Sequence, residues 1–202
     1  MKSENEYIGD DKFKKFLEHY SCPTPLNVVK MRFAGAICSP NGELRPTDVI
    51  SSLWEDNAVP RLETKAEAEL FFKFFMGLWD EIFHQVTSNN VLLERIAPTS
   101  DLISICKQRY EELELGFVEG YWGGLDELKI PAFIAEIVDS LSQLAKVYKS
   151  LGLKIKPEQE NKNIFDAIID CDKAANKSIR FIIEQYALPH IEELKNSKNK
   201  EN

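Results

Sequence analysis

Apolar residues recur along most of the chain three or four positions apart, which is the spacing of one face of an α-helix. The clearest case is a helix predicted over residues 64–86, where Thr64 and Glu67 match a capping-box start. Five aromatic side chains lie on its apolar stripe, so we predict a core helix rather than an aromatic ligand box. The stripe comprises Leu70, Phe71, Phe74, Phe75, Leu78, Trp79, Ile82, Phe83 and Val86.

The same spacing predicts further helices, separated by breaks rich in proline, glycine and asparagine. They cover residues 10–20, residues 27–38, a short helix from Pro46 through Leu53-Trp54, a helix capped by Pro98-Thr99-Ser100, residues 131–152 and residues 163–187. Gly152 is predicted to cap one of them, and Pro189 is predicted to kink or end the last. No run alternates with the period of two typical of a strand. We therefore predict an all-α fold, a multi-helix orthogonal or bundle-like domain with additional C-terminal helices.

A polar stretch over residues 154–162 separates two groups of predicted helices. Residues 1–153 are expected to form one all-helical domain. Residues 154–195 are expected to be a helical extension that packs either on this domain or on a second copy of the chain. Residues 196–202 are polar, and we predict a disordered tail.

Three glycines, Gly116, Gly120 and Gly124, lie at positions i, i+4 and i+8, so on a helix they form one bare stripe. Each glycine costs a helix about 1 kcal/mol relative to alanine, so close packing has to offset the cost. One interpretation is a close helix crossing in the core, with Gly123-Gly124 ending the helix. The other is a groove for a peptide or a ligand, flanked by bulky aromatic residues.

Composition narrows the possible functions. The chain has 202 residues, a hydrophobic content of 44% and a net charge of −8. Residues 154–202 are balanced, so the whole acidic excess lies in residues 1–153. An acidic body repels phosphate backbones, which argues against nucleic-acid binding and leaves either a basic partner protein or a plain solvated surface. The polar N-terminus and the lack of a long apolar run predict a cytoplasmic protein that does not associate with a membrane.

The four cysteines and three histidines match neither a zinc site nor a disulfide framework, and we expect reduced, mostly buried thiols. The best metal-ligand candidate is Glu81 with His84, because residues three apart share one helix face. A di-iron bundle needs a second such pair, but neither His19 nor His190 has a glutamate three residues before it. We predict no metal and no cofactor, and His84 as a surface or hydrogen-bonded histidine.

No catalytic residue is predicted. Asp170 and Asp172 flank Cys171, but on a helix the two aspartates point about 200° apart and cannot share one ion or substrate. A solvated helix face beside a buried cysteine is the expected explanation. The sequence also lacks a Gly-x-Ser-x-Gly elbow and a phosphate-binding glycine loop with a lysine.

Four short blocks carry a family resemblance. They are Ala36-Ile37-Cys38-Ser39-Pro40, Pro46-Thr47-Asp48-Val49-Ile50 through Leu53-Trp54, Leu78-Trp79-Asp80-Glu81-Ile82, and Gly120-Tyr121-Trp122-Gly123-Gly124. In this order and spacing, from near Asn27 to Leu128, the chain resembles the YecA/YgfB-like family of bacterial proteins. The resemblance implies an all-helical fold and brings no established catalytic residues.

The chain also departs from that family. Lys30-Met31 stands where members usually carry Asp-Gly or His-Gly, and Ser39 replaces the glycine before the proline of the first block. Many longer members end in a cysteine-rich zinc-binding motif, and nothing after Leu153 resembles it. A role that depends on the zinc module is therefore not expected here.

These observations favour a non-catalytic protein-binding or regulatory module that self-associates and binds another protein near the glycine stripe. The candidate protein-binding residues are Trp54, Glu119, Gly120, Tyr121, Trp122 and Gly124. The alternative is an enzyme, or a small-ligand- or metal-binding protein, with a pocket between helices that uses Glu81, His84 and Glu119. A third possibility is that the C-terminal helices pair with another copy of the chain.

Overall fold

The computed structural model describes residues 6–97, 101–156 and 161–198, and this part of the chain is helical, without a strand. The all-α prediction is confirmed. Seven helices are described: α1 (Asp10–His19), α2 (Leu26–Cys38), α3 (Pro46–Ser51), α4 (Lys65–Thr87), α5 (residues 102–122), α6 (Ala132–Gly152) and α7 (residues 162–198). A single 3₁₀ turn, Glu55–Asn57, follows α3. None of the described helices is long and apolar enough to cross a membrane.

Two helices contain a π-helical segment, in which hydrogen bonds span five residues instead of four. In α5 the segment Glu111–Val118 separates Leu102–Tyr110 from Glu119–Trp122. In α7 the segment Ile183–Ala187 separates Lys162–Ile182 from Leu188–Lys198.

The helix α7 therefore does not end at Pro189. In an ordinary α-helix the proline ring clashes with the carbonyl group four residues earlier, here that of Gln185. This carbonyl belongs to the wider π segment, which gives the ring room. The helix is described through Lys198, and residues 199–202 of the predicted tail lie outside the described residues.

Helix starts follow the predicted capping chemistry with small shifts. The Thr64 side chain accepts a hydrogen bond from the Glu67 backbone N–H at 3.1 Å. The Glu67 carboxylate accepts from the N–H of Glu63 at 2.7 Å, one residue earlier than a capping box requires. Asp101 caps α5 by accepting from the N–H of Ile103. The predicted cap at residues 98–100 lies outside the described residues.

Two helix ends differ from the prediction. The short helix that starts at Pro46 ends at Ser51, so Leu53 and Trp54 lie in the turn that follows. Gly152 is the last residue of α6, and Leu153 follows it as the cap. A side chain at position 152 would lie 3.2 Å from Cβ of Cys106, so the glycine allows a close approach to α5.

The core is organised around α2, which is buried on almost every side. The helix α4 supplies its aromatic part, as predicted: the Phe71 and Phe75 side chains are fully buried. Their rings lie 5.6 Å from Phe16 and 5.4 Å from Phe13 of α1. Leu70, assigned to the same stripe from the sequence, is instead 49% exposed.

The C-terminal helices share this core. In α6 the apolar stripe buries Ile134, Val138, Leu141, Ala145 and Tyr148. In α7 the first segment buries Ile168, Ala175, Ile179 and Ile182. Both helices pack on the described body of the same chain, with α6 in contact with α5 and α7.

Candidate functional site

The glycine stripe is filled by the backbone of α2. A Cβ atom on Gly120 would lie 2.1 Å from the Arg32 carbonyl oxygen, and one on Gly116 would lie 2.7 Å from Cβ of Met31. The contact is reciprocal, because a Cβ on Gly35 of α2 would lie 2.1 Å from the Phe117 carbonyl oxygen. The stripe is therefore a close helix crossing and is not an open groove.

The third glycine of the stripe has a different role. Gly124 has open space around its Cα and a φ of 79°, in the left-handed region. Gly123, with a φ of 58°, caps α5 in the same region, where glycine carries no steric penalty. The pair ends the helix and turns the chain away from it.

Three of the six candidate protein-binding residues are buried. The Trp54 ring packs near Phe71 and Phe75, and its Nε1 donates to the Tyr20 carbonyl oxygen at 3.3 Å. Gly120 and Tyr121 are enclosed at the helix crossing. The side chains of Trp54 and Tyr121 are therefore shielded from a partner in the folded chain. Trp122 is half-buried, and only Glu119 and Gly124 are exposed.

Beside the two exposed residues lies a cleft of about 450 Å³, which we call the Arg32 cleft. It lies between α2, α3 and the C-terminal end of α5. Its lining residues are Arg32, Leu44, Asp48, Val49, Ser51, Ser52, Asn57, Glu119, Gly120, Gly123 and Gly124. The helix crossing thus forms one end of the cleft, next to the predicted binding surface.

All five N–H groups of the Arg32 guanidinium are occupied. Nε and Nη2 donate to the Leu115 carbonyl oxygen at 2.9 and 2.7 Å, and Nη1 donates to the carbonyl and hydroxyl oxygens of Ser52. Nη2 also donates to Oε2 of Glu119 at 3.1 Å. Burial lowers the pKa of Arg32, while the Glu119 carboxylate acts in the opposite direction. With its donors used internally, Arg32 cannot serve an incoming anion.

The surroundings of the Arg32 cleft are acidic. Asp48 and Glu119 line it. The exposed charged residues within three positions of a lining residue are five acidic ones and one basic one: Glu43, Glu55, Asp56, Asp126, Glu127 and Arg45. The C-terminal ends of α3 and α5 also border the cleft, and helix C-termini carry partial negative charge. The cleft therefore favours a cation.

A second polar cluster, which the sequence analysis missed, is buried where α5, α6 and α7 meet. Arg109 is fully buried and binds Asp172 through Nε and Nη2, at 3.0 and 3.1 Å. Its Nη1 donates to Glu112 at 2.7 Å, and its Nη2 also donates to the Glu94 carbonyl oxygen. The Tyr148 hydroxyl donates to Asp172 at 2.7 Å. Burial opposes the charge on Arg109, but its bonds to Asp172 and the two carboxylate charges raise its pKa.

This cluster corrects the interpretation of Asp170-Cys171-Asp172. The two aspartates do point to different surroundings, since Asp170 is exposed and pairs with Lys173. Asp172, however, is buried in the ion network, so it does not lie on a solvated face, and Cys171 is only half-buried. The sequence does contain a sign of this buried ion pair, because Arg109 and Asp172 both occupy positions on the apolar stripes of their helices. Opposite charges at two core-facing positions indicate a buried pair.

Two further clefts adjoin the network through Asn27, whose amide donates to Glu112 at 2.9 Å. The larger one, of about 450 Å³, is lined by Lys30, Asp10 and Cys22 among others. Lys30 pairs with Asp10 at 2.6 Å, and burial raises the pKa of the Cys22 thiol. Lys30 and Asp10 are thus paired with each other, and the Cys22 thiol is kept protonated.

The structure does not bring together Glu81, His84 and Glu119, the candidate residues of the alternative metal- or ligand-binding hypothesis. Glu81 accepts a hydrogen bond from the side chain of Gln85, and His84 is exposed. Neither lines any of the three clefts, whereas Glu119 lies in the Arg32 cleft. Within the described ranges, no group of three or more histidine, cysteine, aspartate or glutamate side chains could hold a metal ion.

In comparisons with known proteins, no family model, no curated protein and no solved structure matches the chain. The resemblance to the YecA/YgfB-like family stays a prediction from four sequence blocks.

Proposed function

We propose that the chain is a non-catalytic protein-binding module, and that a positively charged segment of a partner protein binds in the Arg32 cleft. The observation that carries the proposal is the acidic lining of this cleft around one guanidinium group that the protein itself supplies. Arg32 shows which chemistry the site accommodates, because the carbonyl oxygens of Leu115 and Ser52 and the Glu119 carboxylate all accept from it.

The exposed side of the cleft offers a partner an acceptor of the same kind. The Glu119 side chain is partly open to solvent, so it can hold Arg32 and a second cation together. The flanking acidic residues attract a basic segment over a longer range, which increases the association rate. This agrees with the acidic excess in residues 1–153.

Two further observations support a role without catalysis. No histidine lines the three described clefts, so they lack the commonest general base. Burial raises the pKa of all four cysteine thiols, to about 11 for Cys106, which disfavours the nucleophilic thiolate. The resemblance to the YecA/YgfB-like family points the same way, because that family brings no established catalytic residues.

The test is a titration of the full chain with a fluorescein-labelled decalysine peptide, followed by fluorescence anisotropy, with a decaglutamate peptide for comparison. Decalysine is expected to bind and decaglutamate is not. Replacing Glu119 by Gln should weaken decalysine binding about fivefold, equivalent to about 1 kcal/mol, because one charged acceptor is lost.

The matched control is Glu192→Gln, which removes the same charge from an exposed position on α7. It should leave the affinity at the wild-type value. Equal weakening by both variants would show that decalysine responds to net charge alone, and the proposed placement would be wrong. Salt should weaken the binding through screening.

The alternative function is the binding of a small ligand, and the size of the cleft beside Lys30 favours it, since ligand pockets commonly measure about 300–1,000 Å³. A small molecule retained by the protein in native mass spectrometry would support this alternative over a protein partner.

A further inference from the structure

The helix α6 carries two apolar seams side by side. The buried seam consists of Ile134, Val138, Leu141, Ala145 and Tyr148. The second seam is shifted by one residue, and therefore by about 100° around the helix. It consists of Phe133, Ile137, Ser140, Leu144, Val147 and Leu151, at alternating steps of four and three residues.

This second seam is only partly covered by the chain itself. Phe133 is 48% exposed and Val147 is 41% exposed, and the other four members are half-buried. The neighbouring α7 adds Phe181, which is 38% exposed and whose ring lies 6.3 Å from that of Phe133. Ser140 is the polar member, and its hydroxyl donates to the Ile137 carbonyl oxygen at 2.7 Å. The serine therefore needs no water and does not oppose burial of the seam.

We infer that the second seam of α6, together with the adjacent edge of α7, is the interface through which two copies of the chain form an antiparallel dimer. Alternating steps of four and three residues are the spacing of a coiled-coil seam, which packs against a helix of the same period. The seam is its own complement when the copies run in opposite directions about a two-fold axis near residue 142. Phe133 then lies against Leu151 of the other copy, Ile137 against Val147, and Ser140 against Leu144.

The rim of the seam agrees with this pairing. Glu136, Gln143 and Ser150 border it on the solvent side. In the antiparallel arrangement Glu136 of one copy lies near Ser150 of the other, and Gln143 lies near its own equivalent. No like charges are therefore apposed at these positions, where repulsion would otherwise destabilise the dimer.

The size of the face is also adequate. The helix α6 has 21 residues and is therefore about 31 Å long. With α7 about 10 Å to its side, the two helices present roughly 600 Å². A standard interface buries about 800 Å² of accessible surface per partner, a larger measure than the flat area of the same patch. The α6–α7 face can thus support a stable dimer.

The test is sedimentation equilibrium of the full chain across a micromolar concentration series. The wild-type chain is expected to reach twice its monomer mass of 23.2 kDa. Val147→Glu should raise the dimer dissociation constant at least about tenfold, because it buries an unpaired charge at two places in a symmetric interface. Leu70→Glu is the matched control, since Leu70 is an exposed leucine on α4. The control should dimerise like the wild-type chain.

Charge complementation tests the antiparallel pairing. Ile137→Lys and Val147→Glu should each be monomeric alone, and mixing them should restore a dimer in which the two introduced charges of opposite sign face each other. A monomeric wild-type chain, wild-type affinity in V147E, or a mixture that stays monomeric would overturn the inference. If circular dichroism shows that V147E loses helicity, Val147→Ser provides the same dissociation measurement.

Discussion

At the scale of single residues, two fully buried tyrosines have opposite hydrogen-bond situations. The Tyr148 hydroxyl donates to the Asp172 carboxylate, whereas the Tyr121 hydroxyl has no hydrogen-bond partner within the described part of the chain. Burial raises the pKa of both, and the charge of Asp172 adds to the effect at Tyr148. A buried polar atom without a partner keeps its desolvation cost, so the two hydroxyl groups should contribute to stability with opposite sign.

Replacing each of these two tyrosines by phenylalanine removes the same hydroxyl group and tests this difference. Tyr121→Phe should leave the free energy of unfolding unchanged or raise it by about 1–3 kcal/mol, because it removes an unpaired buried hydroxyl. Tyr148→Phe should lower it by about 1–3 kcal/mol, because Asp172 loses a donor. Urea denaturation followed by circular dichroism measures both. An equal loss in the two variants would show that a water molecule satisfies Tyr121.

At the scale of the elements, the close crossing of α2 and α5 depends on glycine residues at the contact. Gly120 and Gly35 let each helix approach the other helix's backbone, and each glycine costs about 1 kcal/mol in helix propensity. The close approach also brings Arg32 to the Leu115 carbonyl oxygen in the π segment of α5. The glycines thus position the guanidinium that defines the Arg32 cleft.

Gly120→Ala tests this crossing. Its methyl group would lie 2.1 Å from the Arg32 carbonyl oxygen, and backbone cannot move aside as a flexible side chain can. We expect the free energy of unfolding to fall by about 2 kcal/mol or more, despite the better helix propensity of alanine. Gly42→Ala is the control, because open space surrounds Gly42. A neutral G120A variant would mean that the two helices separate at little cost.

At the scale of the whole molecule, the buried ion network fastens the C-terminal helices to the rest of the fold. Arg109 of α5 binds Asp172 of α7, Glu112 of its own helix, and the Glu94 carbonyl oxygen in the segment before α5. Such a network is weak evidence for net stability, since burying the charges costs desolvation. Removing one member is more costly, because it leaves other buried charges unpaired.

Arg109→Met should therefore lower the free energy of unfolding by about 3–5 kcal/mol. Because α7 shares the core, tryptophan fluorescence and far-ultraviolet circular dichroism should show one coincident transition in wild-type and variant chains. All three tryptophans precede residue 123, so fluorescence reports the first part of the chain. Arg180→Met, at an exposed position of α7, should change stability little. Two separate transitions would support the predicted boundary between residues 1–153 and 154–195.

Local patterning was enough to predict the all-α fold, the core role of α4 and most helix bounds, because apolar spacing, caps and breakers act within a few turns. Gly116 and Gly120 also indicated a close crossing. The spacing of one helix shows which face is buried, but it does not show what covers that face. It therefore did not identify α2 as the helix in the stripe, or show that Trp54 and Tyr121 are enclosed.

The Arg109 network and the Arg32 cleft could be located only in the folded chain, because the groups that bind each other there are far apart in the sequence. Arg109 and Asp172 are separated by 63 residues, and Arg32 and the Leu115 carbonyl by 83. Within one helix the sequence shows a charge at a core-facing position, as at Arg109 and Asp172, but it does not show which distant residue pairs with that charge. The spacing of the seam that contains Phe133 and Val147 likewise indicates a core position. In the structure the described residues bury the adjacent face of α6 fully and this seam in part.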